Sequence, residues 1–295
     1  MNKVHRMGRV KGRDGDGRIR FRLLLNGVLG VCFLLLAAVA PASSATPVHL
    51  VFAGSGTNLP LIRLLAAEFM ERYPEVEIEV PASIGSTGGI RAAADGAIAL
   101  GLISRPLREK EQGLGLRVSA YARTPVLIAV HPSVAEDQIT HAELLDIYRG
   151  TRTRWQDGGE IIVLTREPGD SSIEVLVEGV PGFRAVYDES QEAGRWTTLL
   201  RDLVMNQTLA RTPQAIGLSD LGAVTIEKHA IKPLRVNGVA PTPDNVENGS
   251  YPLFKTLAFI YREEALPAAA RHFIDFVRSE QGGEIMRANG YVSGQ

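Results

Sequence analysis

Short apolar runs alternate with amphipathic stretches along most of the chain. Val48-His49-Leu50-Val51-Phe52 predicts a strand, and Leu61 to Tyr73, with Leu61, Leu64, Leu65 and Phe69 on a helical repeat, predicts a helix. Val76 to Val80 predicts a second strand, a helix opens near Ser86, and Ala97 to Ile103 predicts a third strand. Strands that each run into a turn and a helix imply a parallel sheet covered by helices, with ligands at the strand ends.

Two further apolar segments, Pro125 to Val130 and Leu257 to Tyr261, lack a helical period and lie far apart in sequence. They read as paired crossovers between two lobes. Between them the pattern predicts a helix from His141 to Tyr148, a strand from Glu160 to Thr165, a helix opened by Asp170-Ser171-Ser172, a helix from Glu192 to Met205 and a strand from Ala215 to Leu218. Asn237 to Tyr251, rich in Pro, Asn and Gly, reads as a surface excursion, and Leu266 to Arg278 and Gln281 to Ala288 as closing helices. The expected fold is therefore α/β and two-lobed, each lobe a mostly parallel sheet flanked by helices. Lobe 1 is discontinuous (46–125 plus 258–295), lobe 2 spans 126–257, and 1–45 is a leader.

That leader assignment comes from charge. Residues 1–22 hold eight basic residues against Asp14 and Asp16, an apolar run follows from Leu23 to Ala40, and the small residues of Pro41-Ala42-Ser43-Ser44-Ala45 suit a signal peptidase acting after Ala45. The alternative, an uncleaved anchor, would need roughly 20 apolar residues, and this run is shorter and interrupted by Asn26 and two glycines. The expected location is periplasmic. The only cysteine, Cys32, lies in the apolar run, so the mature chain has no disulfide or thiolate chemistry, and Val31 before it argues against lipidation. Residues 46–295 carry 24 basic and 31 acidic side chains, a net of −7. A mildly acidic chain is a poor partner for nucleic acid.

Three segments join glycine to hydroxyl residues between a strand and a helix: Gly54-Ser55-Gly56-Thr57-Asn58, Gly85-Ser86-Thr87-Gly88-Gly89 and Gly169-Asp170-Ser171-Ser172. Glycine admits close backbone approach, and the first helical turn offers free N–H groups and a partial positive charge, so each is a ready anion site. Each alone also reads as an ordinary helix cap. Two arginines, Arg105 and Arg166, follow strands at the same sheet edge, and their forked donors fit tetrahedral oxyanions.

With these segments, joined by Gly101-Leu102-Ile103-Ser104-Arg105-Pro106-Leu107 and Ala215-Ile216-Gly217-Leu218, the chain from Val48 onward resembles the substrate-binding component of phosphate ABC transporters, the PstS-like periplasmic binding proteins. The resemblance implies an exported, monomeric, non-catalytic protein that holds phosphate without metal or cofactor, through hydroxyls, main-chain N–H groups, an arginine and a carboxylate, and delivers it to an ABC permease in the inner membrane. It implies Gly56, Thr57 and the amide of Asn58 in the first loop, Ser86 in the second, and Arg166, Ser171 and Ser172 in the third. Two departures stand out: the best-known members have Asp at the position of Arg105 and Ser-Gly-Thr at Asp170-Ser171-Ser172. The expectation is an exchange of roles, Arg105 supplying charge and Asp170 the acceptor that admits only an oxyanion still carrying a proton. If Asp170 only caps its helix, sulfate and molybdate remain alternatives to phosphate.

Two rival readings come from other classes. A serine hydrolase would use Ser171 or Ser172, but His49, His131, His141, His229 and His272 show no triad or metal spacing. A signalling or receptor role would use the same binding event for a different output.

Overall fold

The structure is a computed structural model that describes residues 47–294. The leader and Cys32 lie outside the described residues. The strands are β1 (Val48–Gly54), β2 (Val76–Glu79), β3 (Leu100–Ile103), β4 (Arg117–Val130), β5 (Gln138–Ile139), β6 (Ile162–Arg166), β7 (Thr197–Leu199), β8 (Ala215–Asp220), β9 (Lys232–Pro233), β10 (Arg235–Val236), β11 (Phe254–Tyr261) and β12 (Val292–Ser293). The helices are α1 (Leu59–Arg72), α2 (Gly85–Ala94), α3 (Glu109–Gln112), α4 (His141–Arg149), α5 (Ser171–Gly179), α6 (Phe183–Glu192), α7 (Asp202–Leu209), α8 (Leu221–Glu227), α9 (Pro243–Glu247), α10 (Ala268–Arg278) and α11 (Glu280–Ala288). Among the described residues no helix is long and apolar enough to cross a membrane.

One sheet runs through the molecule in the order β2-β1-β3-β11-β4-β8-β6-β7. Its two ends are parallel: β1 pairs with β2 and β3, and β6 with β7 and β8. The middle is antiparallel, because β11 lies between β3 and β4 and β4 pairs with β8. The long strand β4 belongs to both halves. Its Tyr121 and Ala122 join the lobe 1 core of Phe52, Leu65, Phe69, Phe259 and Phe273, while Val126, Ile128 and Val130 join the lobe 2 core of Tyr148, Trp155, Phe183, Tyr187 and Ile216. Leu127 and Ala129 bury the opposite face of β4 against Leu164, Met205 and Ala215. The Pro125 to Val130 part of β4, covered on both faces, has no polar side to show, hence its continuous apolar run.

Local sequence sets the other elements. Pro60 opens α1, where its missing N–H costs nothing, and Leu61, Ile62, Leu65 and Phe69 bury one stripe. Phe273 of α10 meets Phe52 at 4.9 Å and Phe69 edge-on at 5.4 Å, binding the closing helices to lobe 1. Thr140 and Glu143 cap α4 reciprocally, and Gly150 ends it in the left-handed region at φ +79°. Close approach fixes Gly54: a Cβ there would stand 2.0 Å from the Leu102 carbonyl oxygen. The β1, β3 and α2 backbones therefore meet tightly at the edge where the site forms.

Several predicted elements differ. The helix expected from Glu192 to Met205 does not form: α6 ends at Glu192, Gly194 turns with positive φ, β7 adds to the sheet edge and α7 starts at Asp202. The period was genuine only in its last part, and the β-prone Thr197-Thr198 pair overrides the rest. The first crossover begins eight residues earlier than Pro125, at Arg117, and the second at Phe254 rather than Leu257. The excursion Asn237 to Tyr251 contains α9 and ends on a buried Tyr251, whose hydroxyl donates to the Val126 carbonyl at 2.8 Å. Helix α8, between β8 and β9, packs on lobe 1 through Ile226.

Candidate functional site

A cavity of about 350 Å³ opens between the two halves of the sheet. Lobe 1 contributes Ser55, Gly56, Ser83 to Thr87 and Arg105; lobe 2 contributes Arg166, Glu167, Gly169 to Ser171 and Leu200 to Asp202. Three helix N-termini border it. The N-cap residues of α2 and α7, Ile84 and Arg201, supply no side-chain cap, and in α2 only the Gly85 amide is taken up, by the Ser83 hydroxyl at 3.3 Å, while α5 is capped by Asp170. Unclaimed N–H groups beside a cavity are where an anion is best held.

Arg166, at the end of β6, is the central cation. It is 3 % exposed, and one terminal nitrogen pairs with Asp170 at 2.8 Å and with Asp202 at 3.7 Å, while also donating to the Leu200 carbonyl at 3.3 Å. Its Nε and Nη1 have no partner among the described residues. Burial opposes its charge, but Asp202 and Asp170 outweigh that and raise its pKa above the usual arginine value. Tyr187 fixes the strand end by donating to the Arg166 carbonyl at 2.7 Å. A buried guanidinium with spare donors is a strong oxyanion ligand.

Asp170 does two jobs. One oxygen accepts from the Ser172 amide at 2.9 Å, capping α5, and the other accepts from Arg166. Burial pushes its pKa up, but Lys255 and Arg166 bring the net value below the usual aspartate range. Arg105 is similarly committed, forming a two-point pair with Glu111 at 2.7 and 2.8 Å and donating to Thr87 at 2.9 Å. The exchange of roles expected for these two residues thus meets a structure in which each already has an internal partner. The cavity carboxylates without a hydrogen bond among the described residues are Glu167 and Asp202, and Oδ2 of Asp202 crosses to lobe 1 and lies 2.1 Å from where a Cβ on Gly56 would stand.

Serines link the lobes. Ser55 and Ser104 share a hydrogen bond at 2.7 Å, and Ser104 donates to Ser171 of α5 at 2.9 Å. Ser86 accepts from the Ser104 amide at 3.3 Å. Outside these, Arg108 reaches the Gly169 carbonyl at 3.1 Å and Glu174 at 3.3 Å.

Of the residues expected from sequence, Gly56, Ser86, Arg105, Arg166, Asp170 and Ser171 line the cavity. Thr57, Asn58 and Ser172 do not. Thr57 donates to Asp220 at 3.0 Å and accepts from Lys255 at 2.9 Å, Asn58 accepts from the Tyr121 hydroxyl, and Ser172 is buried behind its cap. Lys255 also reaches Asp220 at 3.2 Å and is fully buried. Burial opposes its charge, yet Asp220, Asp170 and Asp202 hold its pKa above the ordinary lysine value. Sequence reasoning missed Asp202, Lys255 and Glu111. Asp202 carried no local signal, because the helix expected from Glu192 to Met205 placed it in a helix interior rather than in the first turn where it stands. Lys255 was hidden in an apolar strand, and Glu111 looked like any surface glutamate.

The PBP superfamily domain matches residues 40–281. A curated relative, the phosphate-binding protein PstS of Bacillus subtilis (strain 168), is 26 % identical over 255 residues, covering 82 % of this chain and 80 % of its own length. Protein SphX of Synechococcus elongatus is 29 % identical, covering 88 % of this chain and 84 % of its own. Among solved structures, a Clostridium perfringens chain described as a phosphate ABC transporter substrate-binding protein with bound phosphate superposes with a TM-score of 0.75 at 27 % identity, over 84 % of this chain and 100 % of its own.

Proposed function

The chain belongs to the PBP superfamily, and from that premise we propose that it is an exported solute-binding protein that captures a small oxyanion between its lobes. Inorganic phosphate is the first ligand to test, since relatives of this chain are phosphate-binding proteins and one similar structure holds phosphate. The observation that carries the reading is the meeting of three helix N-termini and Arg166, with two unused donors, on one interlobe cavity. The ligand bridges lobes: α2 and the Gly56 turn approach from one side, Arg166, α5 and α7 from the other. Closure about the shared strands β4 and β11 then presents a form that a membrane permease of the ABC type recognises.

Fixed dipoles need no net positive protein, so an acidic chain can hold an anion. Nothing around Ser171 supports a nucleophile, because its hydroxyl accepts from Ser104 and no histidine lines the cavity among the described residues. Calorimetric titration of the purified protein with phosphate, sulfate and molybdate tests the proposal. Saturable phosphate binding in the micromolar range or tighter supports it. Absence of heat with all three oxyanions overturns it.

A further inference from the structure

The turn that follows β3 serves three of the hydroxyls at the cavity. The Ser104 amide donates to the Ser86 hydroxyl at 3.3 Å, the Ser104 hydroxyl donates to Ser171 at 2.9 Å, and Arg105 Nη2 donates to Thr87 at 2.9 Å. All three recipients line the cavity, whereas Ser104 is 2 % exposed and stands behind it. Proton count fixes the direction. A serine hydroxyl has one O–H to give, and Ser104 spends its own on Ser171, so the 2.7 Å bond between Ser55 and Ser104 is donated by Ser55. The chain runs from Ser55 through Ser104 to Ser171, whose own proton has no acceptor among the described residues. The same holds for the hydroxyl protons of Ser86 and Thr87.

An oxyanion offers acceptors and needs donors. A hydroxyl that accepts from behind has a lone pair occupied there and turns its proton elsewhere, here toward the cavity, and each bond of such a chain polarises the next. Without its inner donor the same hydroxyl can rotate, give its proton away from the ligand and meet an oxyanion with a lone pair. The relay also crosses the cleft, since Ser104 follows β3 in lobe 1 and Ser171 opens α5 in lobe 2. Bringing the lobes together completes it.

Resting on the oxyanion reading, we propose that Ser104 is a positioning residue, which touches no ligand and sets the Ser171 hydroxyl as a hydrogen-bond donor to the bound oxyanion. Arg105 gives Thr87 the same polarity, so a cation already paired with Glu111 still has a use at the cavity wall.

Phosphate titration of the purified protein, of Ser104→Ala, Ser171→Ala and Ser86→Ala, and of Ser104→Ala combined with each of the other two tests this. Losing one hydrogen bond to a charged ligand costs roughly tenfold or more, so Ser171→Ala should weaken binding by at least about tenfold. Ser104→Ala should weaken it by about three- to tenfold, because an unguided Ser171 hydroxyl still donates part of the time. In the Ser171→Ala background Ser104→Ala should cost less than about twofold, while in the Ser86→Ala background it should keep its full effect, because the Ser104 amide remains. The phosphorus-31 resonance of bound phosphate should move in the same direction in Ser104→Ala and Ser171→Ala. A packing role for Ser104 would lower affinity alike in every background, and that result overturns the inference, as does unchanged affinity in Ser104→Ala. Equal losses in Ser104→Ala, Ser171→Ala and their double would show a bond that only holds the lobes together, and also overturn it. Each of these outcomes leaves the oxyanion reading standing, whereas failure of the unaltered protein to bind phosphate, sulfate or molybdate overturns both.

Discussion

Asp202 of lobe 2 and Gly56 of lobe 1 meet across the cleft so closely that a Cβ on Gly56 would stand 2.1 Å from the Asp202 carboxylate oxygen. Glycine is required there by the approach of a charged group, not by backbone strain. Gly56→Ala forces the carboxylate aside, and because a side-chain tip can rotate, the expected loss is on the order of 1 kcal/mol. In an Asp202→Ala background the same change should cost almost nothing. Denaturant midpoints of the four proteins measure the coupling directly, and equal costs in both backgrounds would show that this contact does not set the choice of glycine.

Arg166 holds two carboxylates in a buried place, so its removal is felt in both folding and binding. In Arg166→Ala, Asp170 keeps its cap to Ser172 but loses its cation at 2.8 Å. Removing one partner of a buried pair costs about 3–5 kcal/mol. Oxyanion binding should vanish as well. Arg166→Lys keeps a positive charge without the fork of donors, so most of the stability should return while affinity stays at least about tenfold down. Full affinity in the lysine variant would remove the guanidinium fork from the recognition argument.

The parts of this molecule that can be read in the sequence are those whose signal is local. Alternation located β1, α1, β2 and β3, and glycine-hydroxyl segments located Ser86, Ser171 and the Arg166 strand end, because a strand followed by a helix start is written in neighbouring residues. The rest depends on partners far away in the chain. Thr57 has the appearance of a ligand group, yet its hydroxyl is taken by Asp220, 163 residues on, and Lys255, 198 residues on. Asp202 was hidden because an apparent helical period masked the β7 strand and the start of α7. Pairing of this kind is decided by tertiary packing, which no short window contains.

Thr57 offers a sharp contrast between a structural and a binding role. Thr57→Val removes a hydroxyl that both donates and accepts inside a buried network, and should lower stability by about 1–3 kcal/mol with ligand affinity changed by less than about twofold. Lys255→Met strands the Asp220 carboxylate, whose Oδ1 already lacks a partner, and should cost about 3–5 kcal/mol. Adding Asp220→Leu to Lys255→Met should recover part of the loss. Unfolding curves with parallel titrations check all three, and a large affinity loss in Thr57→Val at unchanged stability would return Thr57 to the binding surface.

Glu111 gives the site a dependence on acid whose sign follows from its pairing. The Arg105 side-chain hydrogen bonds, helped by the Arg108 amide and opposed by burial, hold its carboxyl at about 2 against an ordinary 4.5. A depressed folded-state pKa contributes stability that is fully present above the unfolded value and is lost as pH falls through the folded one. The stabilisation from this pair should therefore be intact above pH 4.5 and disappear by about pH 2. Glu111→Gln lacks the charge at every pH, so it should be less stable than the wild type at pH 7, and the difference between the two proteins should narrow across that window. Denaturant midpoints measured from pH 7 down to pH 2 follow the difference. Because Arg105 lines the cavity, the same substitution also frees a guanidinium beside the ligand, and phosphate affinity at pH 7 should rise. A constant stability gap across the pH range would show that Arg105 and Glu111 meet without coupling, and would return Arg105 to the pool of free cations at the cleft.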